Sequence, residues 1–189
     1  MYQPTNLEKW VSDKLIKMNI MYPWELKPRL VAQAFDIDFE IMKSPAVSGE
    51  EFGEAYIIVD ARKDPLTQRE QFFHELGHVL RHYGNQNCMN DAFRLKQEWD
   101  ANLFAMYAMI PYHMLDFTQQ YTEDTLIERF KVPMHIARSR IRQICQKIFQ
   151  TKKSTERVIE SKSFNVNKYS IETKRLLTQL SRQIGATFR

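Results

Sequence analysis

Two histidines and a glutamate at a fixed spacing are the residues of this sequence whose types best suit chemistry. They occur in the stretch HELGH as His74, Glu75 and His78. On an α-helix, residues four positions apart lie about 40° apart around the axis and about 6 Å apart along it, so the two imidazoles can bind one metal ion. Glu75 is offset from His74 by about 100°, which places its carboxylate beside the ion as a base for water. The spacing therefore predicts a hydrolytic zinc site.

A catalytic zinc site of this kind needs a third protein ligand. His82 continues the spacing, but on a straight helix it lies about 12 Å from His74 along the axis, too far to share a metal whose bonds are about 2 Å long. His82 is therefore interpreted as a cation at the helix end or as a group that supports a ligand. The third ligand is expected from another element.

The stretch EWDAN, further along the chain, offers two carboxylates, Glu98 and Asp100. Glu98 shares one helical face with Asn102 and Ala105, which follow it at spacings of four and three. The small residues Ala101 and Ala105 allow a close approach of this helix to the histidines. Asp100 points roughly 200° away from Glu98 around the helix axis. Glu98 is therefore favoured as the third ligand and Asp100 is its rival, although acidic residues are most often solvated at the surface.

The elements that must position these residues follow from the periodicity of the apolar side chains. Helical spacing predicts helices over residues 5–19, 23–35, 64–84 and 94–110. In the second of these, Pro28 lies either near a new helix start or at a kink. Alternation of apolar and polar residues predicts strands over residues 36–43 and 55–61, with a loop between them at 44–53. The HELGH and EWDAN stretches thus fall on two long helices.

Two further helical patterns follow, and their arrangement resembles a helix-turn-helix unit. They cover residues 122–130 and 134–149 and are separated by the short break KVP. A polar, basic stretch comes next, and a final helix is expected near residues 170–184.

Composition limits the class of protein. A chain of 189 residues can bury a core without disulfides or a structural metal, so a bound metal is expected to serve chemistry. Hydrophobic content of 43% with 26% charged residues is typical of a soluble globular protein. Cys88 and Cys145 lack Cys-x-x-Cys spacing and are interpreted as isolated thiols in a reducing compartment. With no signal-like or membrane-spanning stretch, a cytoplasmic protein with no membrane partner is expected.

The charge is distributed unevenly along the chain. Residues 1–136 hold 14 Lys/Arg and 20 Asp/Glu, a net charge of −6, whereas residues 137–189 hold 13 and 3, a net charge of +10. Such a basic block is suited to nucleic acid or to an acidic partner, although a solvated helical surface explains it equally well.

Two motifs together resemble the ImmA/IrrE family of zinc metallopeptidases. The family pairs a His-Glu-x-x-His helix with a downstream Glu-x-x-Ala-Asn-x-Phe-Ala segment that ends at a proline, and this chain has FFHELGHVLRH followed by EWDANLFAMYAMIP. The stretch EAYIIVDARKD also resembles the strand and turn before the family's active helix. The resemblance covers roughly residues 20–115. The ending MIP and the basic extension after residue 150 depart from the family pattern.

The resemblance implies a fold, a cofactor and a set of site residues. His74, His78 and Glu98 match the family's Zn²⁺ ligands and Glu75 its catalytic glutamate, which implies a gluzincin-like metallopeptidase. The implied fold class is α+β, with a zincin-like core of a small sheet and the HExxH active-site helix, followed by a helical C-terminal region. We accordingly expect a metallopeptidase domain over residues 1–120 and a basic, helix-turn-helix-like region over residues 121–189.

The resemblance also implies a function. The expected protein is an anti-repressor endopeptidase that cleaves a regulatory protein, a helix-turn-helix transcriptional repressor of a mobile element or prophage. The alternative is a non-proteolytic regulator that binds DNA or the repressor through residues 121–189. For the peptidase, the strand at residues 55–60 is expected to hold an extended substrate by β-augmentation. Candidates to assist the metal at the oxyanion are His113, Tyr112 and Tyr83.

Overall fold

The order of elements agrees with the α+β class expected from the sequence. The computed structural model of the protein describes residues 2–82 and 90–162, with side chains as far as residue 151. The predicted helix near residues 170–184, Tyr83 and Cys88 therefore lie outside the described residues. In chain order, the described elements are α1 (Asn6–Lys17), α2 (Pro28–Ala34), β1 (Ile37–Met42), β2 (Val47–Glu51), β3 (Glu54–Asp60), α3 (Pro65–Arg81), α4 (Asp91–Met109), α5 (Glu123–Phe130) and α6 (Met134–Lys162).

The first two helices begin at residues whose chemistry favours a helix start. Thr5 caps α1, because its side chain accepts a hydrogen bond from the amide of Glu8 while the Glu8 carboxylate accepts one from the amide of Thr5. Pro28 occupies the first turn of α2, where its missing N–H costs nothing. The stretch 23–35 consists of a 3₁₀ turn at Pro23–Glu25 followed by α2, so Pro28 lies at a new helix start and not at a kink.

The sheet has three strands in the order β1-β3-β2. β1 pairs with β3 in parallel, and β2 pairs with β3 antiparallel. The strand β2 corrects the sequence analysis, which placed a loop over residues 44–53. Phe52 and Gly53 make the two-residue turn that joins β2 to β3, with φ angles of 53° and 87°. Positive φ at both central residues is typical of the tight hairpin turns that match the twist of a sheet.

The central place of β3 also corrects the expected substrate strand. Both edges of β3 are occupied, because β1 pairs along one side and β2 along the other. The backbone groups of β3 are therefore used within the sheet, and an added strand cannot pair with it. β2, which pairs antiparallel with β3, is an edge strand of the sheet.

The core lies between the sheet and the two long helices. α3 packs against β3 and β2 on one side and against α4 on the other, and α4 also contacts α1. Five side chains of β3 and α3 are completely buried in this core: Ile57, Val59, Phe72, Phe73 and Leu76. Burial of such side chains stabilises the fold by about 1.5–3 kcal/mol each.

The helices α5 and α6 were both predicted, but α6 is longer than expected. It runs from Met134 to Lys162 and so includes the start of the polar, basic stretch that follows residue 149. One compact unit spans Tyr2–Cys145. Inside this unit, Arg140 of α6 is completely buried, and its guanidinium lies 2.6 Å from the buried carboxylate of Glu8. The described part of the second unit is α6 from residue 146 onwards.

The long helices are too polar for a membrane. Among the described residues, no helix has both the length and the apolar composition that a membrane span requires.

Candidate metal centre

The helix α3 places His74 and His78 one turn apart on the same face. The helix begins at Asp64, whose carboxylate accepts hydrogen bonds from the amides of Leu66 and Thr67. The Nε2 atoms of the two histidines are 3.0 Å apart. The spacing of four residues therefore brings the two imidazoles to one point, as the sequence analysis expected.

Glu98 of α4 reaches the same point. Its Oε2 is 3.2 Å from Nε2 of His74, and its Oε1 is 3.5 Å from Nε2 of His78. Among the described residues, these three side chains form a group whose ligand atoms all lie within 4.8 Å of one another. In a tetrahedral zinc site with bonds of about 2.0–2.1 Å, neighbouring ligand atoms are about 3.3–3.4 Å apart. The separations of 3.0–3.5 Å are close to this value, with each oxygen of Glu98 facing one histidine.

A glycine allows the two helices to approach closely enough for this contact. A Cβ atom added at Gly77 would lie 2.9 Å from the ring of Phe104 and 3.3 Å from the Cα atom of Ala101. Any larger residue at position 77 would push α4 away from α3, and Glu98 would move with it. The small residue expected on the α4 side, Ala101, is completely buried at this contact.

The remaining nitrogen of His74 also has a partner. Its Nδ1 lies 3.0 Å from Oδ1 of Asn102 on α4. Since an amide oxygen only accepts hydrogen bonds, Nδ1 of His74 donates to Asn102, and Nε2 is the nitrogen that faces Glu98. A lone pair on Nε2 is what metal binding requires. Asn102, which the sequence placed on the face of Glu98, therefore orients one of the candidate ligands.

Burial keeps His78 neutral. Its side chain is almost completely buried, and burial together with the neighbouring His74 lowers its pKa to about 4. A neutral imidazole is the form that binds a metal. The donor set of two imidazoles and a carboxylate suits a divalent cation such as zinc.

Asp100 lies outside this group of three donors. Its carboxylate accepts two hydrogen bonds from Arg81, at 2.6 Å and 3.1 Å. Oδ2 of Asp100 is also 3.2 Å from Nε2 of His82. Burial alone raises the pKa of Asp100, but the hydrogen bonds from Arg81 and His82 outweigh it and hold that pKa below its usual value. The two carboxylates of EWDAN therefore face different partners.

Glu75 lies beside the group and has a partner that the sequence did not reveal. The hydroxyl of Ser48 donates a hydrogen bond to Oε2 of Glu75, with 2.7 Å between the oxygens. Burial raises the pKa of Glu75, while the Ser48 hydroxyl and the charge of His74 oppose the rise. Ser48 lies in β2, the strand that the sequence analysis treated as a loop, so its contact with Glu75 was missed. The glycine of the Phe52–Gly53 turn was the sequence signal that could have indicated a hairpin, and with it the strand β2.

His113 and Tyr112, two candidates to assist the metal at the oxyanion, contact residues from the N-terminal part of the chain. Nε2 of His113 is 3.1 Å from the carbonyl oxygen of Ile20, and burial lowers its pKa. The ring of Tyr112 stacks on the ring of Tyr2, with 6.0 Å between centroids. These contacts tie both residues to the N-terminal part of the chain.

Comparison with known proteins places the site within a described family. The family model Peptidase_M78, the IrrE N-terminal-like domain, matches residues 32–142, which include all four candidate site residues of the HELGH and EWDAN stretches. The chain is 26% identical over 154 residues to the uncharacterized protein YqaB of Bacillus subtilis (strain 168), which covers 79% of this chain and 90% of YqaB.

A second relative comes from a phage-like element. The chain is 35% identical over 113 residues to the phage-like element PBSX protein XkdA of the same organism, and this alignment covers 59% of the chain and 56% of XkdA. The chain thus spans about half the length of XkdA. Because the family model matches more than half of the chain, the protein belongs to the ImmA/IrrE family of M78 peptidases.

Proposed function

We propose that the protein is a zinc-dependent endopeptidase with a zincin-like core, in which α3 is the active-site helix. The observation that carries this proposal is the convergence of His74, His78 and Glu98 within 4.8 Å, with Glu75 on the next position of the same helix. Two neutral imidazoles and one carboxylate are the protein ligands of a gluzincin-like catalytic zinc site, which leaves a position open for water or substrate.

The zinc ion and the protein side chains have different roles in the proposed reaction. His74, His78 and Glu98 would hold a zinc ion, which would supply the Lewis acidity that activates water and polarises a peptide carbonyl. Glu75 takes the proton of the attacking water and delivers it to the nitrogen of the leaving amine. The partly buried Glu75 is suited to this exchange, because burial raises the pKa of its carboxyl group. The Ser48 hydroxyl holds one oxygen of that carboxylate in place.

The substrate is expected to bind along β2. This strand is the antiparallel edge of the sheet, and its Ser48 contacts Glu75 directly. An extended peptide that pairs with the free edge of β2 would therefore run past the catalytic carboxylate. β2 is short, with five residues from Val47 to Glu51. Only a few residues of a substrate can therefore form main-chain hydrogen bonds with it.

The proposed substrate is a regulatory protein, a helix-turn-helix transcriptional repressor of a mobile element or prophage. Support comes from the family and from the relative XkdA, which is named as a protein of a phage-like element. In this proposal the protein acts in the cytoplasm as an anti-repressor, and removal of the repressor changes transcription.

The basic C-terminal region supports a second candidate function. Residues 137–189 carry a net charge of +10, and such a block attracts either an acidic partner or nucleic acid. In the alternative function, the protein regulates transcription by binding DNA or the repressor without cleaving it. In the main proposal, the same region recruits the protein substrate.

One experiment separates the two functions. The purified, zinc-loaded protein is incubated with the repressor encoded beside its gene, with and without a chelator, and the products are identified by mass spectrometry. We expect fragments that require zinc. In parallel, binding to operator DNA is measured over a salt series. An intact repressor, combined with DNA binding that falls steeply as salt rises, would favour the alternative.

A further inference from the structure

A chain of polar contacts extends from the candidate ligand His78 to Asp100 of α4. Nδ1 of His78 lies 2.9 Å from Nδ1 of His82. Nε2 of His82 lies 3.2 Å from Oδ2 of Asp100. Asp100 accepts hydrogen bonds from two of the three guanidinium nitrogens of Arg81, Nε and Nη2. We call Arg81, His82 and Asp100 the support triad of His78.

The hydrogen positions along this chain follow from its fixed ends. The carboxylate of Asp100 only accepts hydrogen bonds, so His82 carries a proton on Nε2. A neutral His82 then presents the lone pair of Nδ1 to His78. Nδ1 of His78 must therefore carry a proton, which leaves the lone pair on its Nε2 facing Glu98 and His74. The chain selects the tautomer of His78 that binds a metal.

The support triad is held by packing as well as by hydrogen bonds. The side chain of His82 is 10% exposed, and that of Asp100 is 21% exposed. The guanidinium of Arg81 lies over the ring of Trp10, with 5.2 Å to the centroid. Partial burial strengthens each polar contact, since water competes less for the donors and acceptors.

The two roles considered for His82 have different consequences for His78. A cationic His82 would have a proton on each ring nitrogen and would force Nδ1 of His78 to accept. The proton of a neutral His78 would then sit on Nε2, where it would block a metal. The interpretation of His82 as a helix-end cation is thus incompatible with His78 as a ligand, whereas a neutral His82 supports it.

We propose that His82 and Asp100 are positioning residues that fix the orientation and tautomer of His78 for zinc binding. This inference rests on the zinc centre of the proposed function. Groups that contact metal ligands from outside typically change metal affinity by about 10–100-fold when they are removed. Neither residue contacts the ion in this arrangement, so their loss should weaken the site without abolishing it.

Zinc affinity is the first test. It is measured on the full-length protein by competition with a chromophoric chelator, without reference to peptidase activity. His82→Phe keeps a flat ring but removes both nitrogens, and its zinc dissociation constant should rise by about 10–100-fold. His82→Gln keeps an acceptor and a donor at a similar separation and should recover part of the loss. Asp100→Asn should weaken zinc binding in the same direction as His82→Phe.

His135→Phe is the matched control for the loss of a histidine. His135 is largely exposed and pairs with Glu70, so its replacement should leave zinc affinity unchanged. A wild-type affinity in His82→Phe would overturn the proposed role while leaving the zinc centre intact. Failure of the wild-type protein to bind zinc would instead contradict the zinc centre itself, and the support role with it.

Nitrogen NMR of the zinc-loaded protein is the second test, and packing alone would not determine its outcome. The ¹⁵N shifts of the imidazoles should show His82 protonated on Nε2 and His78 protonated on Nδ1. In Asp100→Leu, His82 loses its acceptor, so the Nε2–H form should no longer dominate. A His82 ring protonated on Nδ1 in the wild-type protein would overturn the proposal.

Discussion

The hydroxyl of Ser48 donates a hydrogen bond to the carboxylate of Glu75, with 2.7 Å between Oγ and Oε2. This contact joins β2, the edge of the sheet, to α3, the helix that carries the candidate metal ligands. It therefore connects the surface on which we expect the substrate to bind with the group that we expect to move a proton. The two are 27 residues apart in sequence, and only the pairing of β2 with β3 brings them together.

Replacement of Ser48 by alanine should shift the pH dependence of cleavage. The Ser48 hydrogen bond stabilises the ionised form of Glu75 and lowers its pKa, so its removal raises that pKa. Because a general base must be ionised, the acid limb of the kcat/KM profile should move to higher pH. Ser44→Ala is the control, since the buried Ser44 hydroxyl has no hydrogen bond among the described residues. Superimposable profiles for Ser48→Ala and wild type would count against the role of this contact.

The two carboxylates of EWDAN should differ in their effect on metal content. Glu98 contacts both histidines, whereas Asp100 contacts Arg81 and His82. Glu98→Ala should therefore lose stoichiometric zinc, because a site with two protein ligands binds weakly. Asp100→Ala should retain zinc with an affinity reduced by about 10–100-fold. Metal analysis after dialysis measures both. The reverse order, with zinc lost from Asp100→Ala and kept by Glu98→Ala, would show that the ligand assignment is wrong.

The long helices and the place of the site could be predicted from the sequence because their signals are local. The spacing of four between His74 and His78 determines their common face on any helix, and the position of Glu98 beside Asn102 and Ala105 determines its direction on α4. Approximate helix ends followed from cap residues such as Asp64. Each of these inferences needs only the residues of one helix.

The edge strand could not be predicted because its stability is not local. Ser48, Gly49 and Glu50 have little preference for strands, and β2 exists through its pairing with β3. The same error moved the expected substrate strand to β3, which is the centre of the sheet. The His82 contacts were missed for a different reason. The sequence gives the distance of His82 from His74 but not its partner on α4.

Acidification should destabilise the metal-free protein through His78. Burial lowers the pKa of His78 to about 4 in the folded protein, and the pKa of an unfolded histidine is about 6.5. Between these values the unfolded chain binds more protons, so the contribution of neutral His78 is complete above about pH 6.5 and is lost as the pH falls towards 4.

Urea unfolding in the presence of a chelator measures this effect. Between about pH 7 and pH 5, the wild-type free energy of unfolding should fall by about 1–2 kcal/mol more than that of His78→Gln. The variant is the control because both proteins share all other acid-sensitive groups. Equal slopes for the two proteins would mean that His78 is not held neutral by burial.

Removal of the residues after Cys145 should slow cleavage of the native substrate and leave the metal site intact. The compact unit Tyr2–Cys145 contains every candidate site residue, while residues 146–189 hold 10 Lys/Arg and 3 Asp/Glu. Loss of this charge should reduce kcat/KM on the whole repressor on the order of tenfold at low salt. Cleavage of a short peptide that spans the same bond should not change. If the truncated protein cleaves the whole repressor at the full-length rate, residues 146–189 do not recruit the substrate.

A shorter truncation at residue 120 tests the extent of the folded unit. It removes Arg140, whose guanidinium lies 2.6 Å from the buried Glu8 carboxylate. Removing one partner of a buried ion pair costs about 3–5 kcal/mol, which is a large share of the stability of a small domain. We expect this protein to be unfolded by circular dichroism. A cooperative thermal transition with zinc bound would show that the expected domain of residues 1–120 folds alone.

The most direct test of the catalytic account is the Glu75→Gln variant, assayed with the intact repressor. The variant should fold and hold zinc like the wild type, because Glu75 is not one of the three grouped ligands. Its kcat/KM should fall by at least about 100-fold, the effect of a missing general base. Glu70→Gln, on the same helix, is the control and should cleave at the wild-type rate. Cleavage by zinc-loaded Glu75→Gln at the wild-type rate would contradict the account.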